Sequence, residues 1–337
     1  MSVTQPIAPA GGGLHPWLAL DCEAEAERIA AGLRRLLAER IGRRGLVVAV
    51  SGGIDSALCA ALAVRAVGPR RVFALMLPER DSDPETRVRA RTLVEQLGVG
   101  HQQEDIAPML EAVGCYRWRD EAMRAVFPDY DADWASKIVI RGGLEGRYNH
   151  FELVVRAPGG RQRRRRLGYQ AYLQIVAATN FKQRVRKTLE YFHADRLNYA
   201  VVGTPNRLEY DQGFFVKVGD GAADVKPIAH LYKSQVYALA RHLGVPESIC
   251  TAAPTTDTYS LPQGQDEFYF ALPYDRMDLA LYAHNQHMPA ETLAEALGMA
   301  VTEAEHIYRD IDVKRRTTRY LHESGLTVVP VPEVPLP

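Results

Sequence analysis

The stretch Ser51-Gly52-Gly53-Ile54-Asp55-Ser56 sets two glycines among hydroxyls and one carboxylate. It joins a short apolar run, Leu46–Val50, to a helical apolar pattern, Ala57–Leu62. A strand-to-helix turn of this kind aims backbone N–H groups and the positive end of a helix dipole at one point, which suits a polyphosphate. Glycines let the backbone approach phosphate closely, and Asp55 offers oxygen to the Mg²⁺ that accompanies it. No Gly-Lys-Ser/Thr follows, so this is not a P-loop. The competing reading is a plain βα turn in which Ser51 caps the helix.

Other chemistry-bearing residues come later. Asn180, Arg184 and Lys187 form a polar stripe on one helical pattern. Gly203-Thr204-Pro205-Asn206-Arg207-Leu208-Glu209 follows an apolar run and puts a hydroxyl and a carboxylate beyond a strand end. N-capping of the next helix explains Thr204 or Asn206 equally well. Lys217 and Asp224 place opposite charges on the glycine-rich loop 213–224. Lys233 falls in the first turn of a helix, where a cation opposes the dipole, and this favours an anion contact there. Pro254-Thr255 opens a polar, turn-prone segment suited to a mobile loop. No Cys- or Ser-based triad is evident.

The elements that must hold these groups follow from periodicity. A first helix is predicted over Asp21–Ile41, with a stripe of Ile29, Leu33, Leu36, Leu37 and Ile41. A second strand spans Arg71–Leu77 and a helix Pro84–Leu97. Strand and helix alternating at these spacings predict an α/β fold with a doubly wound parallel sheet, which binds ligands beyond the carboxyl ends of its strands. One long helix is expected over Ala171–His193, a strand over Tyr199–Val202, a helix over Leu231–His242, and short helices near Tyr274–Ala283 and Ala290–Leu297.

Between 116 and 169 the pattern breaks, and an inserted β-hairpin segment is expected there. It ends in Arg161-Gln162-Arg163-Arg164-Arg165-Arg166. A solvated strand is favoured over a nucleic-acid patch, because one basic tract in a chain of zero net charge is weak evidence. Residues 1–16 read as a flexible arm, 17–327 as one domain carrying the insertion, and 328–337 as a Pro-rich tail. The four cysteines are scattered without a C-x-x-C pattern, and neither a membrane span nor a secretory leader is visible. A cytoplasmic setting is the simplest expectation.

Taken together, these residues resemble the ammonia-dependent NAD synthetases of the N-type ATP pyrophosphatase superfamily, whose fold is Rossmann-like and of the adenine nucleotide alpha hydrolase type. The Ser-Gly-Gly-x-Asp-Ser loop marks the superfamily. The block Asn180, Arg184, Gly203-Thr204, Glu209, Gly213-Phe214-Phe215-x-Lys217-x-Gly219-Asp220-Gly221, Asp224, Pro227, Lys233, Pro254-Thr255 stands in the order and spacing of the synthetases. The resemblance spans roughly residues 20–110 and 171–320.

It implies an ATP- and Mg²⁺-dependent amide ligase. The enzyme adenylates the nicotinate carboxylate of deamido-NAD, releases pyrophosphate, and forms NAD⁺ with ammonia while releasing AMP. By the same resemblance Ser51, Gly52, Gly53, Asp55, Ser56, Thr204, Lys233 and Thr255 bind ATP and its pyrophosphate, and Asp55 and Glu209 hold the metal. Asn180, Arg184, Lys217, Asp224 and Lys314 bind deamido-NAD, and Asp55, Lys217, Asp224 and Lys233 make up the catalytic set. Val313 stands where the family often has histidine. A homodimer is implied, as is free ammonia or a separate glutaminase subunit. The alternatives are a ligase of the same superfamily acting on another carboxylate, or a tRNA-modifying or RNA-binding protein that uses the arginine tract.

Overall fold

The computed structural model describes residues 14–141, 150–252, 259–261, 272–331 and 333. The expected arm through Gly13, Thr255 with most of its polar segment, and the end of the tail lie outside them.

The frame is a parallel sheet of four strands among the described residues: β1 (Leu46–Ala49), β2 (Val72–Met76), β3 (Gly100–Gln103) and β7 (Ala200–Val202), in the order β3-β2-β1-β7. Val48 of β1 is paired with Ala74 on one side and Val202 on the other, so the chain order reverses beside β1. That reversal is the switch point where open α/β sheets bind ligands.

Alternate residues of each strand face opposite layers. Leu46, Val48, Ala74 and Val202 pack against α1 (Cys22–Arg35), α2 (Ile54–Val67), α3 (Pro84–Leu97) and α8 (Lys233–His242). Val47, Leu75 and Val201 pack against α4 (Ala107–Ala112), α5 (Cys115–Arg124) and α6 (Tyr169–Leu197). The sheet is therefore doubly wound, as expected. Beyond it, α7 (Arg207–Gln212), α10 (Tyr274–Asn285), α11 (Ala290–Leu297) and α12 (Val301–His322) enclose a second apolar cluster, and α9 (Glu247–Cys250) joins the main one.

Several boundaries differ from expectation. The first helix leaves regular α geometry after Arg35 and ends in a π-helical turn, Leu36–Ile41, closed by left-handed Gly42. Leu36, read as part of its apolar stripe, is exposed. β3 has no apolar pattern because it is an edge strand whose four residues are all exposed. The insertion is more than a hairpin: its first part is helix α5. A three-stranded antiparallel sheet follows, formed by β4 (Ala135–Arg141), β5 (His150–Arg156) and β6 (Arg163–Arg166). The arginine tract is the exposed edge strand of this sheet, in accord with the solvated reading. The sheet packs Ile138, Leu153 and Val155 on Ala122 and Met123 of α5 and Ile175 of α6.

Candidate active site

Gly52 takes φ +83°, and a Cβ there would lie 2.2 Å from the Thr86 carbonyl oxygen, so both the turn and the close approach of α3 demand glycine. Ser51 does not cap α2. Its Oγ accepts the Gly53 N–H at 3.3 Å and lies 3.1 Å from Ser56 Oγ, which donates to the Gly53 carbonyl at 3.0 Å. The N-cap residue of α2 is Gly53, with no side-chain cap bond. Among the described residues no side chain caps this buried helix, so the Ser51 capping expected of a plain turn is not what the structure has.

Three charged groups converge beside that N-terminus. Asp55, in the first turn of α2, forms an ion pair through Oδ2 with Lys233 Nζ at the start of α8. Its Oδ1 accepts Asn206 Nδ2 at 3.2 Å. Asn206 is fully buried and caps α7: its Oδ1 accepts the Glu209 N–H at 3.2 Å, while Glu209 Oε2 accepts the Asn206 N–H at 3.1 Å. One asparagine therefore orients both carboxylates, and the capping role that was open between Thr204 and Asn206 belongs to Asn206.

Lys233 is 2% exposed. Burial opposes its charge, yet Asp55, helped by Tyr237 and Glu209, outweighs burial and holds its pKa above the ordinary lysine range. The conflict between this cation and the α8 dipole is resolved by Asp278 of α10. This buried carboxylate accepts the Lys233 N–H at 3.1 Å, the Ser234 N–H at 2.7 Å and the Ser234 hydroxyl at 2.6 Å. Burial pushes the Asp278 carboxyl up to about 6, against those bonds.

A cavity of about 460 Å³ runs over the strand ends and along α6. Ser51, Gly53, Asp55, Ser56, Thr204, Glu209 and Asn180 all line it. Sequence reading named Lys187 and Asp220 but missed Glu190 in its wall. Lys187 and Glu190 form a buried pair at 2.7 Å, and Asp220 accepts the Val216 N–H at 2.7 Å. Burial raises the pKa of both Glu190 and Asp220, with Lys187 opposing it. Phe151, Tyr172 and Tyr259 form the apolar end.

The remaining dinucleotide candidates do not line this cavity. Arg184 is exposed and donates from Nε to the Lys217 carbonyl at 3.3 Å. Lys217 Nζ donates to the Tyr320 carbonyl at 2.7 Å, pointing toward α12. Lys314, on α12, pairs with Asp310 at 2.6 Å, and burial lowers its pKa against that partner. Asp224 Oδ2 accepts the Val201 N–H at 2.7 Å and so covers the outer edge of β7. Arg184 and Lys217 nonetheless adjoin the cavity, whose lining includes their neighbours Gln183 and Val216.

A doubly wound sheet, an uncapped helix N-terminus at its switch point and two carboxylates beside a buried lysine make up the arrangement that the resemblance to the ATP pyrophosphatase class implies. The NAD synthase family model matches residues 25–126 and 161–318, and the chain belongs to that family. It is 58% identical, over 94% of this chain and 95% of the relative, to the NH(3)-dependent NAD(+) synthetase of Rhizobium meliloti (strain 1021). Among solved structures, NMN synthetase from Francisella tularensis is 24% identical with a TM-score of 0.62 over 92% of this chain and 99% of its own. NH3-dependent NAD synthetase from Campylobacter jejuni is 20% identical with a TM-score of 0.61 over 92% and 100%. These two likenesses establish the fold.

Proposed function

We propose that this chain makes NAD⁺ from deamido-NAD, ATP and ammonia. The observation that carries the reading is the uncapped α2 N-terminus facing Asp55, Glu209 and Lys233. High identity to a named ammonia-dependent synthetase supports the substrate.

A carboxylate is a poor acyl donor because oxide would have to leave. One carboxylate oxygen attacks the α-phosphorus of ATP, the bond to the bridging oxygen breaks, and pyrophosphate departs. Ammonia then attacks the acyl carbon, and AMP leaves carrying that carboxylate oxygen while a proton is lost from nitrogen. The α2 N–H groups, Ser51 and Ser56 receive the departing pyrophosphate, and Lys233 balances its growing charge. Asp55 and Glu209 fit Mg²⁺: they are hard oxygen donors fixed by one asparagine, and two carboxylates with substrate phosphates suffice for that ion. The ion supplies charge neutralisation on the polyphosphate when bound.

Asn180, Arg184, Lys217, Asp224 and Lys314 are assigned to the dinucleotide. Arg184 and Lys217 stand together at the cavity's margin, which supports a ligand extending outward from it. A second copy of the chain covers that outer portion in the proposed homodimer. The ammonia is free or comes from a separate glutaminase. Four free cysteines suit a cytoplasmic enzyme. The test is pyrophosphate release with deamido-NAD against nicotinic acid mononucleotide, each with and without ammonium. Release dependent on ammonium and at least tenfold more efficient with deamido-NAD is expected. The reverse preference would move the reading to a ligase for another carboxylate.

A further inference from the structure

The family match leaves out residues 127–160, yet part of that segment reaches the cavity. Phe151 of β5 and Tyr172 in the first turns of α6 stack on one another, with centroids 4.2 Å apart and planes at 17°. Both are half-buried and line the cavity together with Val176 and Tyr259. Ile138, Leu153, Val155 and Ile175 form an apolar core against which both rings pack. Tyr259 is fixed by the same sheet. Ser260 Oγ accepts the Ser136 N–H of β4 at 2.9 Å, the Leu261 N–H donates to the Ser136 carbonyl at 3.1 Å, and Leu261 packs on Val139 and Val154.

The cavity is consequently polarised along α6. Lys187 and Glu190 lie toward one end and the aromatic wall at the other, with Asn180 between them. Tyr172, Val176 and Asn180 are four residues apart, so the wall stands about 12 Å along the helix from Asn180. A ligand that is polar at one end and flat and uncharged at the other fits this gradient. We propose that Phe151 and Tyr172 bind the flat heteroaromatic ring of a nucleotide substrate, which makes the inserted sheet a specificity-determining wall of the site. The chemistry is shared by the adenine of ATP and the rings of the dinucleotide. Only the second source rests on the proposed function.

The experiment is calorimetric titration of the full chain with Mg-ATP and, separately, with deamido-NAD. The proteins compared are wild type, Phe151→Leu, Tyr172→Leu and Phe151→Tyr, each checked for an intact thermal transition. Leucine preserves apolar filling but removes the π face. Stacking of a base on an aromatic side chain predicts a roughly 5- to 100-fold rise in Kd for at least one ligand in both leucine variants. Phe151→Tyr retains wild-type affinity. Leucine variants whose Kd values for both ligands stay within about twofold of wild type would overturn the proposal, whatever happens to their Tm, because a purely structural pair moves Tm alone. Should wild type bind Mg-ATP and not deamido-NAD, the functional reading fails while the wall is judged on ATP.

Discussion

Asp55 serves the fold as well as its proposed role in the reaction. A carboxylate in a glycine-rich turn suggests that Asp55→Ala would spare the fold. The structure corrects this, since removal leaves Lys233 deeply buried without its nearest counter-charge. Breaking a buried pair from one side costs about 3–5 kcal/mol. Asp55→Ala is therefore expected to lower stability by that order and turnover by at least about 10²-fold. Adding Lys233→Met to it should restore most of the stability and none of the activity. Urea denaturation of the two single variants and the double variant measures this coupling, and additive losses would mean that the pair contributes nothing. Asp55, Glu209, Thr204 and Lys233 were legible because motif spacing and strand-end placement flagged them. Asn206 was legible as a helix cap but not as the partner of Asp55, and Asp278 was not legible, because these contacts span 151 and 44–45 residues of chain.

At the scale of elements, α8 starts with a lysine only because α10 supplies a buried carboxylate beneath it. Burial raises the Asp278 pKa to about 6, so folding tightens proton binding at this carboxyl although the carboxylate still predominates at neutral pH. Its stabilising contribution is complete below the ordinary carboxylate range and is lost as pH climbs through about 6. The Tm of wild type minus that of Asp278→Asn should thus be larger at pH 5 than at pH 7.5, whereas a constant difference would contradict the shift. β6 offers a second check. Arg163 pairs with Asp129 at 2.9 Å and Arg165 donates to the Val126 carbonyl at 2.9 Å, so alternate arginines bind the body of the insertion. Neutralising Arg164 and Arg166 should leave both turnover and Tm unchanged, and salt-sensitive RNA binding lost in that variant would revive the nucleic-acid reading. The elements missed in the sequence share a cause. β3 is polar because it is an edge strand, and α12 buries only Ala304, Ile307 and Ile311 among many charges. Neither offers the periodicity by which β1, β2 and α3 could be read.

For the whole molecule, the sheet order places Ser51, Ser56, Asp55 and Glu209 around one cavity, with Lys233 behind them paired to Asp55, while Arg184 and Lys217 stand at its margin. Fold class, nucleotide chemistry and family were readable because they depend on short local spacings. The inserted sheet's reach into the cavity was not, since it depends on β5 packing against α6. The central claim is that a substrate carboxylate is activated at the α-phosphorus of ATP, and isotope transfer tests it most directly. Deamido-NAD labelled with ¹⁸O in both carboxylate oxygens is turned over with ATP, Mg²⁺ and ammonium, and the products are weighed by mass spectrometry. One ¹⁸O in the phosphate of AMP, one retained in the amide of NAD⁺ and none in pyrophosphate is the predicted result. Formation of ADP and labelled inorganic phosphate, or unlabelled AMP, would contradict the account.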